Sequence, residues 1–208
     1  MVRVQRERML AAVVEVVGEI GYSQMTVQDV ITRAGVSRRT FYEHFSNKED
    51  VFLAAYDHVV DLVLAEVSAS YETGQTFVER VRLGLEAFVD YLAAQPALAH
   101  VCVVEVLAAG PKALARRSVA MQRFRAFVAP GFDESPPATR APDITADAVI
   151  GGIYEVIYDH VLRGETGLLP RRSSELLHGV LVPFVGLEAA SRASQAAARA
   201  QRRSPQPS

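Results

Sequence analysis

The sequence predicts an all-α chain built as three short helices followed by a set of longer ones. Apolar residues recur at three- and four-residue spacing along most of its length, while alternating apolar and polar runs are scarce. Residues that cap helix starts, Thr26, Ser37 and Ser46, stand in front of three consecutive periodic segments. Glycine and proline fall between the segments, at Gly21, Gly35, Gly74, Gln95-Pro96 and Gly110-Pro111. With 208 residues, half of them hydrophobic, the chain can bury a substantial core and form one or two small domains.

The first helix is expected from Val4 to Ile20, burying Leu10, Val13, Val17 and Ile20 and stopping at Gly21. Thr26 caps a second helix, Val27 to Ala34, whose third position is Asp29, and Met25 packs on Val30 across that cap as a hydrophobic staple. Gly35 suits the left-handed residue that ends this helix. Ser37 then caps a third, Arg38 to about His44, with Val36 and Phe41 as a second staple. Two short helices joined by a tight glycine turn make a helix-turn-helix. Ser46 and Glu49 read as a capping box opening the fourth helix, which runs from Asn47 to about Tyr71.

Longer helices follow at Gln75 to Ala94, Pro96 to Ala109, Pro111 to about Val128, Thr145 to Arg163 and Ser173 to about Arg192. Proline is tolerated at the opening turn of a helix, as at Pro96 and Pro111. Pro183 inside the last helix should kink it. From Ala129 to Asp143 four prolines stand among small and polar residues, which predicts a surface loop without fixed secondary structure. The predicted organisation is a helix-turn-helix domain at 1–47, a helical domain at 48–192 and a frayed tail at 193–208, where Arg199, Arg202 and Arg203 have no acidic neighbours.

Composition narrows the function classes. The apolar run near Met1 is interrupted by Glu15 and preceded by several charges, unlike a secretory signal. No stretch reads as about 20 uncharged apolar residues of the kind that spans a membrane, so a soluble cytoplasmic protein is expected. One cysteine, Cys102, excludes an intrachain disulfide and a cysteine-rich zinc site. The formal net charge is only −2, and in the first fifty residues seven basic side chains are matched by seven acidic ones. Affinity for a polyanion would therefore have to come from where the cations sit.

On the third helix Phe41 and Phe45 share one face, which should pack on Val27, Val30 and Ile31 and on Val13 and Val17. The remaining surface carries Arg38, Arg39, Thr40, Tyr42 and His44. Arginine donates two hydrogen bonds to a guanine edge, and threonine offers a hydroxyl or a methyl to thymine, so Arg38, Arg39 and Thr40 are assigned to base reading. Tyr42, His44 and Lys48 are assigned to phosphates, with the hydroxyls of Thr26 and Ser37 at helix starts where backbone N–H groups favour anions. Taken alone, two arginines on an exposed helix are more often a solvated face.

The run from Thr26 to Ile31 and from Ala34 (AGVSRRTFYEHFSNKEDVF) to Phe52 resembles the DNA-binding domain of the TetR family of transcriptional regulators. The resemblance covers the first quarter of the chain. It implies that the third helix enters the major groove and that Tyr42, His44 and Lys48 lie near phosphates. It also implies an all-α second domain that binds a small-molecule effector and forms a homodimer through its last two helices.

In that second domain, Gly151 and Gly152 within VIGGIYEVIY would let a partner backbone come close, and the last helix is rich in leucine and valine. An intrachain core and a subunit interface are equally consistent with these residues. With the resemblance, Gly152, Ile153, Ile157, Leu177, Leu181 and Phe184 become the expected dimer interface, which would set two recognition helices on half-sites of a palindromic operator. For the effector, Glu105 in an otherwise apolar run is the foremost candidate, joined by Tyr91, Phe124 and Tyr154. An inward Glu105 would favour a cationic or hydrogen-bond-donating ligand. Repression is the expected sign of regulation by resemblance.

Two other classes remain in view. Asp57, His58 and Asp61, or Glu155, Asp159 and His160, could be imagined as a metal or acid–base site of a small helical enzyme. Neither has a recognisable ligand pattern, and the sequence holds no glycine-rich phosphate loop or nucleophile motif, so no catalytic residue, metal or cofactor is assigned. A helical protein-interaction module that does not bind DNA would account for the balanced charge.

Overall fold

The computed structural model describes residues 2–134 and 142–203, and all regular structure among them is helical. The N-terminal part comprises α1 (Val2–Gln24), α2 (Val27–Ala34), α3 (Arg38–His44) and the start of α4 (Lys48–Tyr71). Regular helix in α1 breaks at Gly21, where φ is 76° and a side chain would be strained, and one further turn follows. Met9, Leu10, Val13, Val16 and Val17 are buried along its inner stripe. Ile20, in the last turn before the break, is 41 % exposed, so the covered stripe stops one turn short of the expected end.

The caps form as the residue types dictate. Thr26 Oγ1 accepts from the Asp29 amide at 3.3 Å, while the Asp29 carboxylate accepts from the Thr26 amide at 2.8 Å. Gly35 takes the left-handed conformation (φ 60°, ψ 43°) that a Cβ disfavours, and the amides of Gly35 and Val36 donate to Thr32 O and Ile31 O. Ser37 Oγ accepts from the Thr40 amide at 3.0 Å. The expected Ser46/Glu49 box is displaced by one residue: Asn47 Oδ1 caps the Asp50 amide at 3.0 Å, and the Asp50 carboxylate accepts from the Ser46 amide at 2.8 Å. Glu49 is instead drawn to Lys112, 2.7 Å away.

The C-terminal part comprises α5 (Phe77–Ala94), α6 (Pro96–Ala99), a π-helical segment (His100–Glu105), α7 (Val106–Ala108), α8 (Pro111–Arg125), α9 (Gly131–Glu134), α10 (Ile144–Leu162), a short 3₁₀ turn (Thr166–Leu168) and α11 (Leu169–Arg203). Two contiguous cores serve the chain. One joins α1 to α4 with Val101, Val106 and Ala113, so the N-terminal helices also lean on the segment after α6. The other gathers Val59, Val63 and Val67 of α4 with Val89, Leu92, Ile157, Leu177, Leu181 and Phe184.

Three expectations are corrected. Between 129 and 143 the chain is not all loop: α9 forms, and Phe132 is buried edge-on against Phe184 at 5.4 Å. Residues 135–141, with Pro136 and Pro137, lie outside the described residues. The tail from 193 is helical as far as Arg203, because Ala197 is buried and Gln201 reaches back to Pro170 O at 3.1 Å. The last helix breaks at Gly186 (φ 80°, ψ 165°), three residues beyond Pro183.

Candidate functional site

On α3 only Phe41 is buried, and it is fully so. Its ring meets Phe45 at 5.9 Å and seats the helix on the core of α1 and α2. Tyr42, the next residue, is 52 % exposed, and Arg38 and Arg39 project beside it. A large aromatic at half exposure, flanked by two cations on a rigidly anchored helix, is a surface built for a partner.

The other residues assigned to that surface are held in different ways. Ser37 Oγ and Thr40 Oγ1 lie 2.9 Å apart, and the Thr26 hydroxyl bonds to Asp29, so these hydroxyls already have partners in the cap. Those bonds hold the exposed Asp29 carboxyl below its ordinary value. Arg39 rests on Glu43 at 3.0 Å, an exposed i,i+4 pair that a competing anion can open at little cost. His44 is half-buried beside Phe45. Lys48 donates to Ser23 O at 3.0 Å, and its ammonium lies 4.5 Å from the Tyr22 ring centre, tying the start of α4 to the end of α1.

A second feature lies inside the C-terminal part. A cavity of about 110 Å³ runs beside α4, whose Tyr56, Val60, Val63, Val67 and Tyr71 line it at helical spacing. From Tyr56 to Tyr71 the helix rises about 22 Å. Leu85 and Phe88 of α5, Phe124 and Phe127 near the end of α8, and Ile150, Ile153 and Tyr154 of α10 form the other walls. The lining is almost wholly apolar, in the manner of small-molecule sites. Its polar groups are Tyr56 with Cys102, Arg117 and Tyr154 around it, and Tyr71 at the other end of the α4 stretch. Burial pushes the Tyr56 and Tyr154 phenols up, with Arg117 pulling the other way, and burial pushes the Cys102 thiol up to about 12.

The expected ligand residues divide. Phe124 and Tyr154 line this cavity; Tyr91 and Glu105 do not. Tyr91 packs half-buried against the second core. Glu105 faces away from the cavity, toward α1: its carboxylate accepts from the Tyr22 amide at 2.7 Å and bonds to His100 Nε2 at 3.0 Å. Its partner is thus the backbone exposed by the break at Gly21. The groups that sequence reasoning missed are Arg117 and Tyr71. Arg117 is one of four arginines between 116 and 125, and only its place on α8 sets it apart.

The expected interface residues are also redistributed. Ile157, Leu177, Leu181 and Phe184 are all within 2 % of full burial in their own chain, because α10 and α11 close the second core. They cannot also be surface for a partner. Gly152 is exposed with no atom within 4 Å of where a Cβ would stand, and Ile153 is half-buried against the cavity. The carboxylates imagined as a metal site serve α8 instead: Asp57 pairs with Arg116, and Asp61 with Arg123 at 2.7 Å. No three potential ligands converge among the described residues.

Residues 9–55, which contain α2, α3 and their caps, match the family model described as bacterial regulatory proteins, tetR family. The helix-turn-helix of this chain is that of the TetR family. Among curated relatives, the HTH-type transcriptional activator FasR of Mycolicibacterium smegmatis is 33 % identical over 88 residues, 42 % of this chain and 40 % of that protein. The fatty acid metabolism regulator protein of Bacillus subtilis is 28 % identical over 99 residues, 48 % of this chain and 51 % of that protein. The matched region thus spans about half the length of these curated relatives or less. A solved structure of the transcriptional regulator FadR from Bacillus subtilis in complex with stearoyl-CoA superposes with a TM-score of 0.72, covering 86 % of this chain and 98 % of that one at 19 % identity. The likeness of fold therefore extends through the C-terminal helices, where sequence similarity fades.

Proposed function

We propose that this chain is a DNA-binding transcriptional regulator whose grip on DNA is set by an apolar effector held in the cavity beside α4. The observation that carries the reading is α3, anchored by Phe41 and presenting Arg38, Arg39 and Tyr42 outward. Residues 1–47 act as the DNA-binding domain and 48–192, continued by the helix to 203, as the effector-binding and dimerisation domain. Arg38, Arg39 and Thr40 read bases, while Tyr42, His44, Lys48 and the helix starts at Thr26 and Ser37 meet phosphates. An effector with an apolar chain is favoured by the cavity's lining and its course along α4, and the stearoyl-CoA bound by FadR illustrates such a ligand.

The functional unit is a homodimer on a palindromic operator, acting in the cytoplasm. By length and composition α11 is apolar enough to cross a membrane, yet only 28 % of its most apolar window is buried within the chain. Such a surface needs a cover. Gly152 of α10 and Gly179 of α11 are open, with room for a close partner backbone, whereas the leucines first assigned to the interface lie beneath it.

Regulation is a shift between two spacings of the recognition helices. Two connections link cavity to DNA surface. α4 runs from Lys48, fastened to α1, to Tyr71 at the cavity's far end. The π-helical segment lines the cavity with Cys102 and Val103 and holds the end of α1 through Glu105. The sign of regulation is repression, tested by a promoter–reporter strain with and without the gene.

The direct test is to select genomic fragments bound by the purified protein and measure affinity across salt concentrations. Specific retention, weakening steeply as salt rises, is expected. Tyr42→Phe should weaken all fragments alike, whereas Arg39→Ala should also relax base preference. No retained fragment at low salt would sink the reading in favour of a protein-interaction module.

A further inference from the structure

The basic residues of α8 divide by direction. Lys112 pairs with Glu49, Arg116 with Asp57, Arg123 with Asp61 and Arg125 with Asp147. Arg117 turns the other way, into the cavity, and no carboxylate among the described residues pairs with it. Its guanidinium lies 3.9 Å from the Tyr154 ring centre, stacked on that face, and its Nε is buried without a hydrogen-bond acceptor. The Tyr154 hydroxyl donates to Val103 O at 2.5 Å, and although its oxygen lies close enough to the guanidinium for Arg117 to pull the phenol's pKa down against burial, it does not receive the Nε–H. A buried donor on a permanent cation, left open beside an apolar cavity, is costly to the protein alone. A bound acceptor removes that cost.

We propose that Arg117 receives the carboxylate of a long-chain acid, whose hydrocarbon tail lies along Val60, Val63 and Val67 toward Tyr71. This rests on the cavity being the effector site. A carboxylate matches the guanidinium fork with two parallel charge-assisted hydrogen bonds, where an ester or thioester carbonyl offers one neutral acceptor. Tyr154 fixes the plane of the fork by stacking, and its own hydroxyl is pinned to the π-helical segment. A second unpartnered polar atom, Tyr71 Oη, belongs to the lining residue at the opposite end of the α4 stretch. The tail therefore ends near a lone hydroxyl, which gives an acid bearing an oxygen at its far end an acceptor to offer. The sign of the site is the reverse of the cationic preference expected from Glu105.

The test is equilibrium binding of palmitic acid, its methyl ester, hexadecanol and palmitoyl-CoA, by displacement of a solvatochromic dye and by calorimetry, to the full-length wild type, Arg117→Gln and Arg117→Lys. The acid should bind the wild type more tightly than the ester or the alcohol by on the order of tenfold to a hundredfold. That preference should vanish in Arg117→Gln and return only in part in Arg117→Lys, while ester and alcohol affinities stay within about twofold. Circular dichroism on the same samples identifies a variant that has lost its fold, and Arg117→Lys then decides alone. Equal binding of acid and ester by the wild type, or tighter binding of palmitoyl-CoA that ignores both substitutions, overturns the carboxylate assignment and leaves the cavity as effector site. Binding of none of the four overturns both.

Discussion

The helix-turn-helix and the cavity treat their polar groups in opposite ways. Around α2 and α3, hydroxyls and carboxylates close on nearby backbone: Thr26 with Asp29, Ser37 with Thr40, Asn47 with Asp50. Beside α4, Arg117 Nε and Tyr71 Oη are buried and open. The first pattern makes a rigid platform whose outward side chains can meet DNA without rearrangement. The second leaves a site unsatisfied until something enters. Removing a polar group should therefore destabilise the first region and relieve the second.

The largest effect should come from the anchor of the platform. Phe41→Ala leaves a hole in the first core and should cost about 3–5 kcal/mol in chemical denaturation. If it costs no more than a surface change, α3 is not seated as described. Next, Glu105→Gln weakens the charge-assisted acceptance from the Tyr22 amide and should cost about 1–2 kcal/mol. It should lower DNA affinity while leaving effector affinity unchanged, and a selective loss of effector binding would return Glu105 to the cavity.

Thr26→Ala removes a cap and should lower stability by about 1 kcal/mol. Tyr71→Phe deletes the open hydroxyl and should do the reverse, raising stability by up to about 1 kcal/mol in the absence of ligand. A loss in Tyr71→Phe would break the contrast between the regions. The smallest effect is on pH dependence. Asp29, and Glu79 at the start of α5, where its carboxylate accepts from the Gln75 and Thr76 amides, are held below the ordinary carboxylate range by such hydrogen bonds. Their contribution is thus present above the unfolded-state values and lost as pH falls through the depressed ones, which carboxyl titration by NMR would show.

That contrast also explains what could be read in the sequence. Caps and turns are local, so Thr26, Gly35 and Ser37 announced α2 and α3 by residue type, and the outward set on α3 followed from the inward Phe41. Even there the match loosened by one residue where a long-range partner intervened, since Lys112 claims Glu49 and leaves the cap to Asn47. The cavity depends on which face of α8 meets α4, and neighbours in sequence cannot tell Arg116 from Arg117. Glu105 was misassigned for a related reason. A carboxylate in an apolar run does need a partner, but that partner is the Tyr22 amide, far away along the chain. On α10 and α11 the periodicity marked buried positions correctly without distinguishing a chain's own core from a partner's.

The thiol of Cys102 gives the cavity a clock. It is the only cysteine in the chain, it borders the cavity half-buried on the π-helical segment, and desolvation holds it protonated. A small neutral alkylating reagent that enters the cavity should modify it faster when the cavity is empty, so labelling kinetics follow occupancy over time. An occupant that fills the space should stop the clock, whether or not the protein is on DNA.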